Sequence, residues 1–94
     1  MSAPVTLAGT FSNITGTGNV TGTDQWAGQL VGFYVNSTSS GTLVLKSGGS
    51  SGTAMAGTIT PAIGFHSFPA IFKYPLHATV GGTIDVTFFY NVVA

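Results

Sequence analysis

Near the C-terminus Ile84, Val86, Phe88 and Tyr90 alternate with Asp85, Thr87, Phe89 and Asn91. A two-residue period of this kind fits a strand with one buried face. It does not fit a helix, whose apolar positions recur at three and four. The same period runs through most of the chain. In 29–36 one face carries Val31, Phe33 and Val35 and the other Leu30, Gly32 and Tyr34, while Leu43 and Leu45 share one side of 42–46. Between these two segments stands NSTSSG (36–41), whose residues tolerate tight turns, so the pair is expected to form a hairpin.

A second loop, SGGSSG (47–52), leads into an expected strand at 53–60, with Met55, Gly57 and Ile59 on one face and Pro61 ending it. The next strand, 65–73, puts His66, Phe68, Ala70 and Phe72 on one face and Pro69 on the other. That proline predicts an edge position or a bulge. Leu76, Ala78 and Val80 alternate with an outward His77 and Thr79, and Gly81-Gly82 reads as a turn into the last strand. The first 25 residues are patterned weakly, with Phe11, Ile14 and Val20 isolated among Gly, Thr, Ser and Asn. They give a strand at 5–8 and otherwise short strands or a Gly/Thr-rich arm over 1–24. The similar pieces TGTGNV (15–20) and TGTDQW (21–26) are too few for a repeat architecture. No segment has a helical apolar pattern, and both Glu and Arg are absent. The expected fold is all-β: one antiparallel β-sandwich or jelly roll of about seven strands spanning 1–94.

Composition narrows what such a domain can do. Only Asp24, Lys46, Lys73 and Asp85 are charged, 4% of the chain against about 25% in an average soluble domain. The surface must therefore be covered by hydroxyls, amides and neighbouring protein. A chain of 94 residues buries only roughly 60 to 65% of its unfolded surface, so association is the obvious supplement to a thin core. Without cysteine there is no disulfide, thiolate zinc site or cysteine nucleophile. MSAPVTLAGT lacks a basic n-region and no apolar run is long enough for a bilayer, so neither a signal peptide nor a membrane partner is expected. Two lysines against two aspartates leave no basic stripe for nucleic acid.

The residues that could carry chemistry are few. Asp24 and Asp85 are the only carboxylate pair for acid–base work, and no G-x-S-x-G nucleophile elbow occurs. His66, His77 and Asp85 match no metal-ligand spacing, and GTGNVTG (16–22) lacks the lysine of a phosphate loop. No catalytic residue, metal or cofactor is assigned. Asn13, Asn19 and Asn36 open N-x-T sequons, which matter only to a chain that enters a secretory route. The aromatics remain. Tyr34 and Phe89 fall opposite the expected core, Trp26 stands alone before the hairpin, and Phe11, Trp26, Tyr34, Val44 and Phe89 are the candidate partner-interface residues. An aromatic platform for sugar is the competing use of the same rings.

From Gln25 onward the texture of QLVGFYVNSTSSGTLVLKSGG, GTITP, GFHSFPAIF and ATVGGTIDVTFFY resembles that of small virion proteins of tailed bacteriophages. The resemblance covers strand-and-turn texture and transfers no functional residue. It implies a cement or decoration subunit that binds the major capsid protein as a dimer or trimer, located in the virion after assembly in the host cytoplasm. A head-spike or tail component and a carbohydrate-binding or adhesin-like module are the alternatives.

Overall fold

A computed structural model of the chain describes residues 7–22 and 27–93. The described residues form an all-β structure of six strands in one antiparallel sheet: β1 (Thr10–Ile14), β2 (Gly18–Asn19), β3 (Ala27–Ser47), β4 (Thr53–Ala54), β5 (Gly64–Lys73) and β6 (Leu76–Val93). β3 and β6 pair along nearly their whole lengths. β1 and β2 line the free side of β6, while β5 and β4 line the free side of β3.

A straight strand of 21 residues would span about 69 Å, yet the longest dimension of the molecule is 38 Å. β3 must therefore bend. The bend is visible in the register, which shifts between Val35 and Ser37 and again between Ser39 and Thr42, opposite 81–85 of β6. Ser40 takes a φ of 54° and Gly82 a φ of 65°, and a Cβ on Gly82 would strike the Ser40 carbonyl oxygen. Lys73 records the outcome. It pairs with Ala27 at the start of β3, while its amide donates to Ser47 Oγ at 2.8 Å and its carbonyl accepts from Gly48 N at 3.0 Å at the far end. The sheet is thus folded over on itself, with both ends of β3 flanking one residue.

The core fills the fold. Leu30, Phe33, Val35, Phe72, Val86, Phe88 and Tyr90 come from the first half, Leu43, Leu45, Leu76 and Ala78 from the second, and Ile84 from the corner. Phe33 packs against Phe88 at 5.5 Å and Phe72 meets Tyr90 edge-on at 6.2 Å. Ile14, Met55, Ile59 and Phe68 pack around the margin.

Several expectations change here. The segments 29–36 and 42–46 are not a hairpin: both belong to β3, and each pairs with β6 rather than with the other. Gly81-Gly82 is likewise a corner inside β6, not a turn between strands. Asn, Ser, Thr and Gly suit a bulge as well as a turn, so local chemistry does not separate the two. Of 53–60, only Thr53–Ala54 forms a strand, followed by an isolated bridge from Ile59 to Leu43. Leu7 and Ala8 lie outside any strand, and 5–6 lie outside the described residues. The described part of the N-terminal quarter forms short strands on β6, with Val20 in the core. In β3 the bulge between Leu30 and Gly32 switches the phase, so Leu30 joins Phe33 and Val35 inside. β5 is an edge strand whose register shifts beside Pro69, as the proline predicts.

Candidate interaction face

The first half of the folded sheet, ordered β1, β6, β3, β5, turns one surface to the core and the other outward. Alternation fixes which residues face out. On β5 the buried Phe72 lies between the exposed Ile71 and Lys73, and the exposed Phe65 precedes a half-buried His66. On β6 the core residues Ile84, Val86, Phe88 and Tyr90 leave Asp85, Thr87, Phe89 and Asn91 facing outward.

Register then assembles an aromatic patch from four strands. Phe11 pairs with Phe89, Phe89 with Gly32, and Tyr34 with both Thr87 and Phe65. The Phe89 ring lies 6.4 Å from Phe11 and 6.4 Å from Phe65, tilted against each. Gly32 permits this. A Cβ there would lie 2.7 Å from Phe65 Cζ and 2.5 Å from the His66 carbonyl oxygen, so only glycine leaves room for the Phe65 ring beside β3 at this point. Phe11 is 70% exposed, Phe65 54% and Tyr34 42%. Large apolar side chains gathered on one face at these exposures mark a contact surface rather than scattered surface residues.

A polar margin closes one end of the patch. Asp85 Oδ1 accepts from Asn13 Nδ2 at 2.7 Å and from Asn36 Nδ2 at 3.1 Å. Thr87 Oγ1 lies 3.1 and 3.2 Å from the same two amides. Both sequon nitrogens are therefore already donated within the sheet. At the other end Asn91 reaches Gln29 Oε1 at 3.3 Å and the Leu7 carbonyl at 2.9 Å, and its Oδ1 accepts from Gly9 N.

The predicted interface residues divide. Phe11, Tyr34 and Phe89 come together on this face. Val44, half-buried between the inward Leu43 and Leu45 and paired with Thr79, belongs to the outer surface of the second half. Trp26 and Asp24 lie outside the described residues. His77, expected outward, is buried: β2 pairs alongside it, with Asn19 in register, and its Nδ1 lies 3.1 Å from Asn19 Oδ1. His66 Nε2 donates to the Ala62 carbonyl at 2.8 Å, and its ring stacks on Phe33 at 5.2 Å. Among the described residues no three His, Asp or Glu side chains stand together as metal ligands.

Sequence reasoning did not select Phe65, although alternation with Phe72 and Phe68 carried the signal. Nothing local could have found the Asn13–Asp85 contact, whose partners are 72 residues apart. Comparison of the chain with protein-family models, curated proteins and solved structures finds no match.

Proposed function

We propose that the chain is a structural virion protein, a cement or decoration subunit that binds and stabilises a phage capsid. In this reading the folded-over sheet is a two-layered β-sandwich of jelly-roll type and 1–94 is one domain. The observation that carries the proposal is the aromatic outer face: exposed rings on three strands, Phe11, Tyr34 and Phe65, gather around a half-buried Phe89 in a chain with four charges. Aromatic enrichment with charge depletion is the composition of an interface core. The subunit acts by burial repeated over many copies, not by turnover, so modest contacts add up across a lattice. Its partners are the major capsid protein and other copies of itself, and its place is the virion assembled in the host cytoplasm. No cofactor, nucleic acid or membrane enters.

Mass spectrometry of purified particles tests this directly. The expected result is the chain at many copies per particle, with a lower particle melting temperature when it is stripped away. Its absence from particles overturns the proposal. A head-spike or tail position would show as a few copies at one vertex.

One observation favours a second reading, a carbohydrate-binding module. The margin formed by Asn13, Asn36, Asp85 and Thr87 sets hydrogen-bonding groups beside the Tyr34 ring, the combination a sugar ring uses. Titration with oligosaccharides, followed at Tyr34 and repeated with Tyr34→Ala, decides it. Silence across the panel eliminates it.

A further inference from the structure

Among the described residues the aromatic face carries one formal charge at each end. Lys73 closes one end, paired with Ala27, and Asp85 closes the other, paired with Ser37. Both side chains project outward, since each follows a buried neighbour, Phe72 or Ile84. Val93, the residue in register with Lys73 across Ala27, lies eight positions along β6 from Asp85. The two charges therefore stand about 26 Å apart along the strands and about 10 Å apart across them. The second lysine, Lys46, lies on the other half of the sheet with its Nζ 3.2 Å from the Ser50 carbonyl.

We propose that this face is covered by a second copy of the chain in a two-fold, face-to-face pair. A two-fold axis lying in the contact and crossing the Asp85–Lys73 line at its midpoint passes close to Gly32 and Phe89. Rotation about it exchanges the two ends, so Asp85 of each copy meets Lys73 of the other. An isologous contact needs this self-complementarity, and here the only two charges on the face among the described residues supply it. The apolar residues follow the same operation. Phe89 lies beside its own counterpart near the axis. Because the axis stands perpendicular to that line, Tyr34 is laid over Ile71 of the other copy, and Gln29 over Thr87.

The area is adequate. Nine rows on β6 and β3, eight on β5 and five on β1, at about 4.8 Å by 3.3 Å each, give a planar face of roughly 490 Å², so two faces bury about 1,000 Å² once side-chain relief is counted. That reaches the lower bound for a specific protein pair.

This inference rests on the proposal that the chain works by packing against protein, but the two fail separately. Sedimentation of the isolated chain with exchanged charges is the test. Asp85→Lys alone, or Lys73→Asp alone, sets like charges together at both ends and should weaken pairing by about tenfold. An equimolar mixture of the two variants should pair with wild-type strength, because each mixed pair again sets lysine over aspartate at both ends. The double variant Asp85→Lys/Lys73→Asp should also recover, which guards against a folding defect in either single change. A wild-type chain that stays monomeric at all concentrations, a trimer, or a mixture that pairs no better than its components overturns the inference. A monomer that still binds particles overturns the pair and leaves the virion proposal standing. A monomer that binds oligosaccharide at Tyr34 overturns both.

Discussion

Gly82→Ala tests the corner on which the whole fold depends. Gly82 holds a φ of 65°, where an L-residue costs roughly 1 to 2 kcal/mol. The added methyl would also strike the Ser40 carbonyl oxygen, a backbone atom that cannot turn away as a side chain can. Relieving that overlap shifts β3 at its own bend and disturbs Ile84, which is buried one residue beyond the next. Together the two effects should cost about 2 to 4 kcal/mol, a large share of the roughly 5 to 14 kcal/mol that stabilises a chain of 94 residues. Urea denaturation followed by far-ultraviolet circular dichroism measures it, with Gly57→Ala as the control. No atom lies within 4 Å of a Cβ at Gly57, and the cost there should stay within about 0.5 kcal/mol. If Gly82→Ala proves as mild as the control, 81–82 is a yielding turn and the bent-strand account of β6 is wrong.

Two further substitutions probe the core and the docking of the N-terminal quarter. Phe72→Ala removes a ring that stacks on Tyr74 at 5.4 Å and meets Tyr90, and should cost about 3 to 5 kcal/mol in the same assay. A loss below about 1 kcal/mol would mean that β5 does not close the core. Thr21→Val removes the hydroxyl that accepts the buried Leu76 amide at 3.0 Å, leaving that N–H unpaired at a cost of about 1 to 3 kcal/mol. Amide exchange at Leu76 should accelerate accordingly. Unchanged protection there would show that the segment around β2 is not held on β6.

How much of this was legible in the sequence depends on how far apart the interacting residues lie. Strand identity was read from neighbours: Ile84, Val86, Phe88 and Tyr90 line the core as their alternation predicts, and Pro69 marks the edge strand. Connectivity was not. NSTSSG and Gly81-Gly82 have the composition of turns, and only pairing between residues roughly 40 apart makes them opposing corners of two continuous strands. The bulge between Leu30 and Gly32 has the same character. Its phase switch is imposed by β5 and β6 on either side and leaves no mark in the residues of β3 themselves. The interaction face was half legible. Tyr34 and Phe89 were read as outward and Phe11 as an interface candidate, but their convergence with Phe65 over Gly32 is a product of register.

The outer aromatic face is proposed as a contact between protein chains. Sedimentation equilibrium of the wild-type chain beside Phe65→Ser/Phe89→Ser tests it most directly, because neither ring lies in the core and the fold should survive their loss. The wild type should sediment at twice the chain mass and the variant at the chain mass, with matching circular dichroism. A variant that associates as strongly as the wild type would contradict it.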